Sequence, residues 1–299
     1  MSTTCVALVT GASRGVGRGV ASALAEAGWT VHVTGRSLER LAATVADADG
    51  TDGEIVPHEC DHADDARVAE VVGEIVDRDG RLDLLVNNVW TNPPGFLGFD
   101  GKFWERPVSD WDTLIGIGLR AHYVASHEAV RVMVPQGSGL VVNISSFGSR
   151  APFHTVLYGM SKTALDKMAA DMAHELGGTG VHTLSLWLGL IRTELILSLG
   201  MTDFNGFQLD RAEDPRFVGR VIEALSRDPG LGEMSGSTVV TAEYGREHGL
   251  ANDDGRAPLS HRGAFGGGPL FPPVTDAQLG FDTVDEVTEA GGHNGFAGG

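Results

Sequence analysis

Tyr158 and Lys162 stand four residues apart in Tyr158-Gly159-Met160-Ser161-Lys162. On a helix that spacing puts a phenol and an ammonium on one face, where the cation is expected to lower the phenol from its ordinary pKa of about 10. The product is a group able to give or take a proton. Far upstream, Thr10-Gly11-Ala12-Ser13-Arg14-Gly15-Val16-Gly17 reads as a glycine turn. Gly11 permits the tight turn, Gly15 lets backbone approach a pyrophosphate, and Gly17 lets the next helix lie close to its strand. Phosphates favour the helix N-terminus that follows. The chain therefore offers a seat for a dinucleotide and a group to handle the proton that accompanies hydride transfer.

Both features need elements to hold them. Val6 to Val9 form an apolar run before the turn, and Val16, Val20 and Leu24 recur after it at helical spacing. Further β-rich runs at Val31 to Thr34, Ile55 to His58, Leu82 to Val86, Leu140 to Ile144, Val181 to Leu188 and Thr238 to Thr241 alternate with helical patterns. This alternation predicts an α/β fold with a Rossmann-like, doubly wound parallel sheet in a single domain. Ligands of such sheets bind outside the carboxyl ends of the strands, where Gly11, Asn87, Ser146 and Gly189 converge. Leu165, Met168, Met172 and Leu176 form the buried stripe of one helix and read as core. We assign 1-262 to a catalytic domain and 263-299 to a Gly-rich, acidic tail without Lys or Arg, a composition that favours flexibility.

Composition narrows the partners. The chain has 299 residues, 42% hydrophobic and 21% charged, with a net charge of −18. Such acidity opposes binding to nucleic acid or anionic membrane. Cys5 and Cys60 are too few for a disulfide framework or a zinc site. No basic, apolar leader and no run of roughly 20 apolar residues is present, so a cytoplasmic protein is expected. His58, His62, His122, His127, His154, His174 and His182 are scattered through the domain without a ligand-like spacing. His58 and His62 come nearest to a metal pair and lack a third ligand, so no metal is expected. A Gly-x-Ser-x-Gly turn, which a Ser-His-Asp hydrolase would need, is absent.

The glycine turn, Asn87-Asn88-Val89, Ile144-Ser145-Ser146, Tyr158 to Lys162 and Gly189 to Thr193 occur in the order that resembles the short-chain dehydrogenase/reductase family, over roughly residues 5 to 250. The resemblance implies a nicotinamide dinucleotide, with Tyr158 as proton donor or acceptor. Lys162 keeps that proton available and holds the nicotinamide ribose. Ser146 polarises the substrate carbonyl; alignment on the strand end favours it, whereas counting back from Tyr158 lands on Ser145. The implied cofactor contacts are Gly11, Ser13, Arg14, Gly15, Val16, Gly17, Arg36, Asp61, Asn87, Tyr158, Lys162, Gly189, Ile191 and Thr193. At the end of the second strand an acid selects NAD and a base NADP. Arg36 stands there, and Arg14 matches the second basic residue of NADP-preferring members, so NADP(H) is expected. Asp61 matches an adenine contact, yet Asp61-His62-Ala63-Asp64 also reads as a helix N-cap.

Three departures stand out. Val89 and Trp90 replace the Ala and Gly that usually follow the asparagine pair, Leu188 replaces a proline, and Gly118 stands where the family places an asparagine that supports a water in the proton relay. Gly116 and Gly118 in a predicted helix cost roughly 1 kcal/mol each against alanine, which points to close packing or a kink. Gly118 to Tyr123, Leu184 to Gly189 and Tyr244 to Leu250 are similar to the subgroup typified by dehydrogenase/reductase SDR family member 1. The family also implies a homo-oligomer built through helices carrying His122 to Val134 and Tyr158 to Leu176.

Trp90 to Pro107 is a long segment with Trp90, Phe96, Phe99, Phe103 and Trp104, and Thr193 to Phe217 reads as a flexible lid with Leu195, Ile196, Leu197 and Leu199. These aromatics either line the cleft mouth or anchor their own loop. The first alternative favours an apolar small-molecule carbonyl or alcohol as substrate. A non-catalytic dinucleotide sensor is the rival, since Gly118 departs from the relay; an epimerase or dehydratase that recycles bound NAD is disfavoured by Arg36.

Overall fold

The apolar runs at the centre of the sheet form strands because they are covered on both faces. A computed structural model describes residues 4–93, 101–152, 154–200, 202–204 and 207–263. In β1 (Val6–Val9), Ala7 and Val9 join one core cluster and Val6 and Leu8 join another, so successive residues feed opposite layers. The first layer holds α1 (Gly15–Glu26), whose Val20 and Leu24 are fully buried. The second holds α3 (Asp65–Asp79) and α5 (Ala121–Gln136), through Val71, Ile75, Ala129 and Met133.

Between these come β2 (Thr30–Gly35), α2 (Leu38–Ala46), β3 (Glu54–Glu59), β4 (Leu84–Asn87) and α4 (Asp110–Ile115). Beyond them lie β5 (Gly139–Ser146), α6 (Val156–Glu175), β6 (Val181–Leu188), α7 (Glu194–Ser198), the short β7 (Asp203–Phe204) and β8 (Phe207–Gln208), α8 (Pro215–Ser226), α9 (Leu231–Met234), β9 (Thr238–Val240) and α10 (Thr241–Glu247). Seven strands make one parallel sheet in the order β3-β2-β1-β4-β5-β6-β9, and β7 and β8 pair antiparallel. This is the doubly wound, single-domain α/β fold expected. The order in which strands are added reverses between β1 and β4, where Val9 is in register with both Val33 and Val86, and doubly wound sheets bind ligands at such a crevice.

Several local expectations are corrected. The helix read through Gly116 and Gly118 is broken: α4 ends at Ile115, a π-helical turn spans Gly116–Arg120, and α5 follows. The lid read as far as Phe217 stops earlier. Pro215 starts α8, a position suited to its missing N–H, and Phe217 is fully buried, so this stretch belongs to the core. The α3 N-cap is Asp64, whose carboxylate accepts from Ala66 and Arg67 N–H, while Asp61 is exposed and accepts from Ala63 N–H. His58 meets His32 and Glu74, whereas His62 meets Thr34, so the two do not converge. Cys5 and Cys60 are both free. Among the described residues no helix is long and apolar enough to cross a membrane. The 263-299 tail, after its first residue, and Phe96 and Phe99 lie outside the described residues.

Candidate active site

The glycine turn is shaped as its sequence requires. Gly11 has φ +69° and Gly15 φ +57°, and a Cβ on Gly11 would lie 2.7 Å from the Val89 Cα. Gly11 N–H donates to Thr34 Oγ1 (3.1 Å) and Ala12 N–H to the Thr34 carbonyl (2.9 Å), which ties the turn to the end of β2. Asn88 does the rest: its Nδ2 donates to the carbonyls of Thr10 and Gly11 at 2.9 and 3.0 Å. This role falls to the second asparagine of the pair. Asn87 is fully buried, and its Nδ2 donates to Ser126 Oγ (2.8 Å) and Asn143 Oδ1 (2.9 Å), so its side chain braces β4 against β5 and α5 instead of reaching the cleft.

At the start of α1, Gly15 N–H donates to Glu194 Oε2 at 3.0 Å, so an anionic oxygen already sits on an amide of the turn. Ser13 and Val16, in the same turn, are half-buried. Arg14 and Arg36 are exposed, and among the described residues neither makes an ion pair or a side-chain hydrogen bond.

Ser146, Tyr158 and Lys162 come together beyond the ends of β5 and β6. Ser146, the last residue of β5, places its Oγ 2.8 Å from the Tyr158 hydroxyl and accepts from Gly148 N–H at 3.1 Å. Ser145 is buried and donates to the Lys162 carbonyl (3.2 Å), so of the two serines Ser146 is the one that meets the phenol. Thr155 caps α6 by accepting from Tyr158 N–H (3.3 Å), which fixes the phenol on the first turn. Lys162 is buried, and its Nζ donates to the Ile144 carbonyl at 2.9 Å. His154, with the uncommon φ of +71°, lays its ring 4.4 Å from that of Tyr158.

The electrostatics reverse the expectation from spacing alone. Burial pushes the Tyr158 phenol up to about 12, against a smaller opposite effect of the Ser146 hydrogen bond. Burial likewise pulls the Lys162 ammonium down to about 8, with Asp166 acting to raise it. Desolvation outweighs the helical neighbour in this free chain because both groups leave water. Asp166, one turn after Lys162 and fully buried, accepts hydrogen bonds from Ser185 Oγ and Trp187 Nε1, and burial pushes it up too. It is the countercharge for the ammonium, and nothing in the local sequence announced it.

Gly118 is explained by Trp90. A Cβ on Gly118 would lie 2.2 Å from Trp90 Cζ3, so the indole lies directly on the glycine. The Lys162 Nζ lies 4.8 Å from the centroid of the same indole, and the Tyr158 ring meets it edge-on at 5.3 Å.

The segment after β6 is clamped by Glu213, fully buried. Gly189 N–H donates to Glu213 Oε1 (2.8 Å), Glu213 N–H to the Leu190 carbonyl (2.8 Å), and Arg192 N–H to the Glu213 carbonyl (2.9 Å). Burial pushes Glu213 up to about 7. The Gly189 amide is thereby engaged. Ile191 is bridged to Glu213, and Thr193 caps α7 by accepting from Ile196 N–H at 3.4 Å. Leu195 and Leu197 on α7 and Leu199 just after it are exposed, as are Phe103 and Trp104 in the segment before α4, whose rings meet edge-on.

A family model described as short chain dehydrogenase matches residues 5–201. The chain is 41% identical over 263 residues to dehydrogenase/reductase SDR family member 1 of Mus musculus, with 84% of each chain covered. It is 29% identical over 231 residues to a 3-oxoacyl-(acyl-carrier-protein) reductase of Thermotoga maritima, covering 75% of this chain and 90% of that one. Among solved structures, a metagenomic short-chain oxidoreductase in complex with NADP superposes with a TM-score of 0.66 at 27% identity, over 80% of this chain and 98% of that one.

Proposed function

The chain belongs to the short-chain dehydrogenase family, and on that premise we propose that it is an NADP(H)-dependent oxidoreductase interconverting a carbonyl and an alcohol on an apolar small molecule. The observation that carries the reading is the 2.8 Å contact between the Ser146 and Tyr158 hydroxyls, next to Lys162 and, like the glycine turn after β1, at the carboxyl end of a strand of the parallel sheet.

The residues suit the dinucleotide. The Gly15 N–H already donates to an anionic oxygen, the positive-φ glycines keep Cβ atoms off the turn, and Arg14 and Arg36 are unpaired in an acidic protein. Gly11, Ser13, Gly15, Val16 and Gly17 would cradle the pyrophosphate. Arg14 and Arg36 would hold a 2′-phosphate, Asp61 would face the adenine, and Ile191 and Thr193 the nicotinamide side. Bound there, the cofactor supplies or accepts the hydride. In the reductive direction Ser146 donates a hydrogen bond to the carbonyl oxygen, and Tyr158 delivers its proton to that oxygen as negative charge develops on it. A phenol pushed up to about 12 stays protonated near neutrality, which suits a proton donor. Lys162, held by the Ile144 carbonyl, restrains the phenol and stabilises the phenolate that remains. Exposed Leu195, Leu197, Phe103 and Trp104 support an apolar substrate. A homo-oligomer through α5 and α6 is part of the same reading.

Fluorescence titration with NADPH and NADH, followed by absorbance decay against apolar ketones, quinones and aldehydes, tests it. Selective NADPH binding with turnover is the expected result. Binding without turnover of any carbonyl would favour the sensor instead, and no binding of either nucleotide would overturn both.

A further inference from the structure

We propose that Trp90 is a positioning residue: its indole, seated on Gly118, holds the Lys162 ammonium against its face and braces the Tyr158 ring with its edge. This rests on the reading of Tyr158 and Lys162 as the proton-handling pair, and adds a residue that reading did not contain.

Three observations meet on the one ring. The first is the seat. Gly118 is buried on the π-helical turn, and a Cβ there would fall 2.2 Å from Trp90 Cζ3 and 2.8 Å from Cε3, so any side chain at 118 displaces the indole. Gly116, two residues earlier, has open space above it, which leaves Gly118 as the glycine that packing demands. The π-helical turn widens the backbone at that point, a device common where function needs an altered helix surface. The second is orientation: Trp90 Nε1 donates to Asn92 Oδ1 at 3.0 Å, which fixes the ring about its long axis. The third is the cation. Lys162 Nζ has the Ile144 carbonyl at 2.9 Å on one side and the indole centroid at 4.8 Å on another. An aromatic face attracts an ammonium through its quadrupole, and more strongly when the ammonium is desolvated.

The charged and titratable groups around this ammonium are Asp166 and Tyr158 on α6 and His122 on α5. His122 gives its Nε2 to the Val89 carbonyl at 2.8 Å and is fully desolvated, so it stays neutral and does not compete as a cation. Asp166 supports Lys162 from within the core and Trp90 from the cleft side. Where the family resemblance leads one to expect a water-bearing asparagine, this chain presents an aromatic face.

The chain has three lysines, Lys102, Lys162 and Lys167, which makes the test direct. Protein labelled with 13C at the lysine ε-carbon gives three resonances, and Lys162→Met assigns the one of interest. Lys102 and Lys167 are exposed and serve as internal references. In the unaltered protein the Lys162 resonance is expected to be displaced by the ring current of the indole. In Trp90→Leu the displacement shrinks to the part that the more distant Tyr158 ring supplies, and the titration midpoint falls by about one pH unit, the size of a desolvated cation–π contact. Trp90→Phe, which keeps an aromatic face and guards against a misfolded leucine variant, retains most of both. Gly118→Ala reproduces the leucine spectrum, and Trp90→Leu/Gly118→Ala adds nothing further. A Lys162 resonance and midpoint unchanged in Trp90→Leu, or unchanged in Gly118→Ala, overturns the proposal. None of these readouts needs turnover. Failure of the underlying enzymatic reading is seen separately, as turnover that survives Tyr158→Phe.

Discussion

The Glu194 carboxylate on α7 accepts a hydrogen bond from the Gly15 amide at 3.0 Å, so the segment following β6 reaches back and puts a negative charge on the first turn of α1. The same amide is the one a pyrophosphate would use, and the two anions exclude each other. Glu194→Gln removes the charge while keeping an oxygen. It is expected to tighten NADPH binding by a few-fold, the scale of one charge at a helix N-terminus, with the gain shrinking in high salt. Unchanged affinity at low salt would show that the carboxylate leaves without resistance.

Tyr158→Phe deletes the hydroxyl that meets Ser146 and leaves the ring packed against Trp90 and His154. Turnover is expected to fall by about 10²–10⁴-fold, the usual contribution of a positioned proton donor, with NADPH affinity within a factor of about two. Steady-state kinetics and a nucleotide titration on the same preparation check it.

Arg36 is exposed and unpaired just beyond β2. Arg36→Asp would exchange the proposed phosphate partner for a ribose-hydroxyl partner. The ratio of kcat/KM for NADPH over NADH is expected to drop by about 10-fold or more, in line with roughly 1.5–3 kcal/mol for a hydrogen bond to a charged group. An unchanged ratio would move the 2′-phosphate away from this residue.

Glu213 carries a pH signature. Its folded value of about 7 lies above the ordinary 4.5, so the folded protein holds a proton that the unfolded chain releases first. The stability tied to that proton is complete below about pH 4.5 and is lost as pH rises through about 7. Glu213→Gln keeps an acceptor for the Gly189 amide without the titration. Relative to the unaltered protein it is expected to gain about 2–3 kcal/mol between about pH 5 and about pH 8. Thermal melts of both proteins at the two pH values check the difference, and parallel curves would place the proton elsewhere.

Much of this was legible in the residues. Strands buried on both faces must be continuous apolar runs, and those runs alternate with helical stripes, so a parallel, doubly wound sheet followed from Val6 to Val9 onward. The Tyr158–Lys162 face and the glycine turn were visible because their geometry is local. The chemistry set by depth was not. Spacing alone has Lys162 lowering the phenol, and burial reverses the direction. Glu213 sits in Ala212-Glu213-Asp214-Pro215, which looks like any polar turn before a helix, and only packing shows the acid enclosed. Trp90 and Gly118 each looked like an isolated departure, because the contact that joins them spans separate elements.

That contact makes positions 90 and 118 interdependent, and unequally so. A methyl group at 118 already overlaps the indole of Trp90, so a chain with any larger side chain there has no room for the ring in this place. A smaller residue at 90 would leave a hollow beside Lys162, whereas any replacement at 118 begins with a collision while Trp90 is in place.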